Sequence, residues 1–191
     1  MHQGLTASPS GLSPAGAIHA SVLDAVPEEP KLLSFLRYWN ACRDGAAFPG
    51  RQSIDPVEIP TLLPYLAITE AGNSPLECRV RLAGTAVVEW MGRDPSGTIL
   101  HPDQPGDAFV CRLHRNAMKL GAPLYGGGPW HSVRQVLWRA HTLSCPLSSD
   151  GLTITQIITC ITVEGFAGAE SVPGGRSCYG VPVCPEKLLD T

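Results

Sequence analysis

IDPVEIPTLLPYLAITEAGNSPLECRVRLAGTAVVEWMGRDPSG, residues 54–97, decides the fold, because successive short elements and their turns can be read from it in order. Asp55-Pro56 opens a turn: the carboxylate accepts from nearby backbone N–H groups and the proline fixes φ. Ile59, Leu62, Leu63 and Leu66 line one side of a helical turn between Pro60 and Pro64, and Pro64 ends it. Leu66–Glu70 reads as a strand, Gly72-Asn73-Ser74-Pro75 as a turn, and Cys78–Leu82, alternating apolar and charged, as a second strand antiparallel to the first. A helix then starts at Gly84-Thr85 with Thr85 as N-cap. Val87, Val88, Trp90 and Met91 give it an apolar side, and Gly92 closes it in the left-handed conformation.

Upstream, Glu28-Glu29-Pro30 suits a helix start, and Leu32, Phe35, Leu36, Trp39 and Cys42 recur at helical spacing until Asp44-Gly45 stops the run. Downstream, Leu100-His101-Pro102 and residues 103–106 read as a turn-rich link. Asp107 caps a helix over 108–120 with Phe109, Val110, Leu113, Ala117 and Leu120 as its buried stripe. Gly126-Gly127-Gly128-Pro129 reads as a flexible turn between strands. Residues 133–143 and 152–163 are long β-rich runs joined by a hairpin loop at 146–151. The reading yields five strands, with helices between the second and third. A mobile leader is expected over 1–27, one domain over 28–165 and a loosely ordered tail over 166–191.

Four blocks together resemble the PAS-like family of short alphaproteobacterial proteins: LLSFLRYWNACR, PGRQSIDPVEIPTLLPYL, RVRLAGTAVVEWMGRDPSG and CPLSSDG. The resemblance runs from about Leu32 to Val163. It implies an α+β fold, a five-stranded antiparallel sheet with helices on one face plus an N-terminal helix. It implies neither a particular ligand nor a reaction.

Composition narrows the function. The 191 residues suffice for one continuous core without metal or disulfide staples. Fourteen Lys plus Arg against seventeen Asp plus Glu, without basic clusters, argue against nucleic acid as a partner. No run of eighteen apolar residues offers a membrane span, and the leader lacks the charged start and apolar centre of a secretory signal. Seven cysteines, an odd number with no CxxC pair, fit reduced thiols in a cytoplasmic protein. Cys178 and Cys184 have no second pair beside them and fit zinc spacing poorly.

An antiparallel sheet with helices on one face leaves a pocket between the layers. The candidate lining is Trp90, Met91, His114, Met118 and Trp138, although core packing accounts for each aromatic residue equally well. His114 sits on the helix that supplies the iron ligand in haem-binding PAS proteins, but next to Arg115 it reads as a surface or half-buried histidine. Flavin photosensors of this fold use a cysteine in an Asn-Cys-Arg-Phe context, whereas Cys42 stands in Asn-Ala-Cys-Arg-Asp on the leading helix. The glycine run lacks the Gly-Lys-Ser/Thr of a phosphate loop, and no GxSxG, HExxH or paired-carboxylate motif is present. The expectation is a non-enzymatic sensory or regulatory domain for signal transduction, with no cofactor or metal, that binds a small molecule or a protein partner. A homodimer through Leu36, Tyr38 and Trp39 is expected. The alternative is a ligand-free interaction module with a filled core, and behind it an unrecognised enzyme using the pocket.

Overall fold

The computed structural model describes residues 29–72, 77–131 and 137–165. The expected leader and tail lie outside the described residues. The chain forms helix α1 (Pro30–Ala41), strands β1 (Leu66–Ala71) and β2 (Cys78–Ala83), helix α2 (Thr85–Met91), strand β3 (Ile99–Leu100), helix α3 (Pro105–Leu120), and strands β4 (Leu124–His131), β5 (Leu137–Ser148) and β6 (Ile154–Gly165). One antiparallel sheet has the order β3-β2-β1-β6-β5-β4. Six strands replace the expected five. The addition is β3, two residues that pair Leu100 with Cys78 and Ile99 with Arg79, too short for alternation to reveal.

The central strands are covered on both faces, which is why they read as nearly continuous apolar runs. Leu66 and Ile68 of β1, Leu143, Cys145 and Leu147 of β5, and Ile158 and Cys160 of β6 share one core with α1. Their alternate neighbours face α3: Leu113 and Ala117 pack with Leu124 and Ile157. This period-2 division places apolar side chains of β5 under α1 and its hydroxyls under α3.

Helix α1 follows its pattern closely. Pro30 occupies the first turn, and the Glu29 carboxylate accepts from the Leu32 N–H at 2.9 Å, so the start is both preset and capped. Leu32, Phe35, Leu36 and Trp39 are all buried, and Trp39 Nε1 donates to the Pro146 carbonyl at 2.8 Å. Leu36 and Trp39, at 1% and 0% exposure, therefore offer no surface to a second copy. Tyr38 is half-buried; its hydroxyl accepts from Asp55 N at 2.7 Å and contacts Asp55 O at 3.2 Å. The outward row of α1 is Ser34, Arg37, Asn40 and Ala41.

Several local expectations change. Gly84, not Thr85, is the N-cap of α2, and no side chain caps that helix. Gly84 instead lies against the backbone of Leu63 and Pro64, where an added Cβ would overlap both carbonyl oxygens. Helix α3 begins three residues before its expected start, with Gln104 as N-cap, and Asp107 accepts from the His101 N–H at 3.2 Å. The glycine run is strand rather than turn: Gly126, Gly127 and Gly128 pair with Thr142, His141 and Ala140. A Cβ on Gly126 would lie 2.7 Å from Leu113 Cδ2, so the missing side chain admits the α3 leucine. Strand β5 also runs through Pro146 to Ser148, shortening the hairpin loop. Asp150 organises that loop, its Oδ1 accepting from the N–H groups of Leu152 at 2.9 Å and Thr153 at 2.6 Å and from Ser148 Oγ at 2.8 Å. These bonds hold its carboxyl below the usual range.

Candidate functional site

A row of aligned residues crosses three strands beneath α3: Ala67 of β1 pairs with Thr159 of β6, which pairs with Ser144 of β5. One step along, Thr142 pairs with Ile161, and Thr69 pairs with Ile157. Helix α3 lays Val110, Leu113 and His114 over this floor. Between the layers is a cavity of about 30 Å³ lined by those three residues together with Ala67, Thr69, Thr142, Ser144, Thr159 and Ile161. That volume holds about one water molecule.

Most of the floor's hydroxyls are engaged. Thr142 Oγ1 donates to the Gly126 carbonyl at 2.9 Å, and Ser144 Oγ and Thr159 Oγ1 are 3.1 Å apart. Thr69 Oγ1 lies 2.8 Å from His114 Nδ1 and 3.5 Å from the Ile157 carbonyl. His114 is 6% exposed, and its Nε2 has no hydrogen-bond partner among the described residues. Burial lowers the ring's pKa to about 4, so His114 is neutral at physiological pH. A neutral ring bonded at one nitrogen still has a donor or acceptor to offer at the other. The site thus combines an apolar wall, a hydroxyl floor and one unused polar atom.

Of the five residues expected to meet in a pocket, His114 lines this cavity. It is buried rather than a surface or half-buried residue, because Val110, Leu113 and Ala117 turn the helix so that position 114 faces the sheet. Trp90 is half-buried against Tyr65, ring centroids 5.8 Å apart. Met91, also half-buried, ends α2, and Met118 packs beside Leu113, Ala117, Leu124 and Ile157. The backbone of Trp138 belongs to β5, and its side chain lies outside the described residues. The reading missed Thr69, Thr142, Ser144 and Thr159. Their signal was present as hydroxyl residues at alternate positions of otherwise apolar strands.

A second polar cluster occupies the opposite face. Tyr125 Oη is 2.6 Å from His141 Nδ1, and His141 Nε2 is 3.7 Å from a Glu164 carboxylate oxygen. Burial pushes the Tyr125 hydroxyl above its ordinary pKa, so it stays protonated at neutral pH. Among the described residues, no group of three or more His, Cys, Asp or Glu is arranged to hold a metal ion. No helix among them is long and apolar enough to cross a membrane.

Residues 28–101 match the family model described as PAS domain. Residues 28–101 are thus PAS-like in sequence. The matched segment comprises α1, the turns that follow, β1, β2, α2 and β3, while α3 and the last three strands complete the sheet beyond it. Among solved structures, the Rhodobacter sphaeroides LOV protein is similar, with 12% identity and a TM-score of 0.41 over 60% of this chain and 71% of that one. No curated protein matches the chain.

Proposed function

We propose that this PAS-like domain is a sensory or regulatory module in which a small neutral hydrogen-bonding molecule occupies the space between α3 and the sheet. The observation that carries the reading is His114: buried, held by Thr69 through Nδ1, and unpartnered at Nε2 beside a hydroxyl-lined cavity. A charged ligand would need a counter-charge, and none of the nine lining side chains is ionised at neutral pH. Anything larger than water must move α3 outward, because the cavity is only about 30 Å³.

The occupant acts by binding one position of α3 more tightly than another, which shifts the population between them. Output then passes to a protein partner or a second copy, and on α1 the surface left for it is the row Ser34, Arg37, Asn40 and Ala41. No catalytic step enters this account. Its test is nuclear magnetic resonance of histidine-labelled protein titrated with small neutral amides, alcohols and nitriles. Expected are compounds that shift the His114 ring signals together with α3 amides. A panel that never perturbs His114 in the folded protein contradicts it.

A further inference from the structure

Cys78 opens β2 and Cys111 lies in α3, thirty-three residues apart in the chain, yet their sulfur atoms are 3.7 Å apart. Both are buried, at 0% and 1% exposure, in a cluster with Val80 and Leu100. The backbone of Cys78 is pinned on both sides, by Ala71 of β1 and Leu100 of β3. Closing the pair to the roughly 2.05 Å of a disulfide therefore requires α3 to approach the sheet by a small shift.

We propose that Cys78 and Cys111 are a redox pair that hydroperoxides convert to a disulfide, clamping α3 onto the edge of the sheet. The two thiols are not equivalent. The sulfur–sulfur hydrogen bond holds the Cys111 thiol below its ordinary pKa against the opposing effects of burial and Asp107, with Arg115 helping, while the same bond and burial push Cys78 up. Cys111 is thus the nucleophile and Cys78 the resolving thiol.

In the first step the Cys111 thiolate attacks the near oxygen of hydrogen peroxide. A sulfur–oxygen bond forms, the oxygen–oxygen bond breaks, and the leaving hydroxide takes a proton to become water, leaving a sulfenic acid. In the second, Cys78 attacks that sulfur. The disulfide forms, the thiol proton leaves with the hydroxyl group as a second water, and two thiols have lost two electrons to one peroxide. Because neither sulfur is open to solvent, the reaction proceeds through local opening and is slower than modification of the half-buried Cys42. The cross-link joins β2 to the same helix that carries Val110, Leu113 and His114. Its formation does not depend on the cavity having an occupant.

The test treats the full chain with hydrogen peroxide, quenches it, denatures and alkylates it, and maps the peptides by mass spectrometry. Expected are a Cys78–Cys111 linked peptide that dithiothreitol abolishes, and slower hydrogen exchange of α3 amides in the oxidised protein. In Cys78→Ser, Cys111 stops at a sulfenic acid that dimedone traps. Should that variant fail to fold, the wild-type map decides. Recovery of both thiols as alkylated species after exposure far longer than complete oxidation of Cys42 requires overturns the proposal. So does a wild-type Cys111 carried to sulfinic acid without the cross-link.

Discussion

Chemical denaturation of the wild type and of His114→Gln between pH 7.5 and 4.5 isolates the titration of one buried ring. Burial holds the folded pKa at about 4 against the ordinary 6.5. Below 6.5 the unfolded chain gains a proton on this ring that the native state refuses until about 4, so its contribution to stability is fully present above pH 6.5 and is lost as the pH falls toward 4. At roughly 1.4 kcal/mol per pH unit of difference, the interval sets a ceiling of about 3 kcal/mol, most of it lost by pH 4.5. That is a large share of the roughly 5–15 kcal/mol that holds a small domain together. Glutamine keeps a polar group at position 114 without titrating, and the carboxylates titrate alike in both proteins. The wild type therefore loses about 2–3 kcal/mol more than the variant across this range. Parallel stability curves would refute a buried neutral His114.

Three further outcomes follow from the packing. Gly84→Val costs about 3 kcal/mol by urea denaturation, because its Cβ has no room beside the Leu63 and Pro64 carbonyls; Arg51→Ala, which removes a long 3.5 Å bond to Ile54 O, stays within about 0.5 kcal/mol. Trp39→Phe lowers stability by about 1–3 kcal/mol in the same assay, since it strands the buried Pro146 carbonyl, and an unchanged midpoint would mean that bond is not made. If a second copy docks on the outer row of α1, light scattering at tens of micromolar gives twice the chain mass, and Arg37→Glu halves it; a wild-type monomer mass rejects that surface.

What could be read from the sequence follows the strength of local signals. Helix α1 was legible because Leu32, Phe35, Leu36 and Trp39 repeat at 3.6-residue spacing behind an acid and a proline. The first two strands were legible from Leu66 onward because turn residues bracket them. The fate of the three glycines was not, since only the approach of Leu113 and the length of β5 make Gly126 and Gly127 strand residues. Helix α3 was found, but its inward face was misread. The apolar stripe included Leu120, which is 40% exposed, and left out Cys111 and His114, both buried. A polar residue in a core is placed by its partner, and Thr69 lies forty-five residues away. The hydroxyl floor suffered likewise: alternation marks Thr142 and Ser144 as sharing a face, but strand pairing alone brings Thr159 beside them.

The proposed occupant of the space beside His114 is a small neutral molecule. Native mass spectrometry of the full chain purified from its own host tests it most directly, with His114→Leu purified in parallel. Expected is a wild-type mass exceeding that of the bare chain by one discrete small molecule, released on denaturation and absent from the folded variant. A bare-chain mass for both proteins, or the same adduct on both, would contradict it.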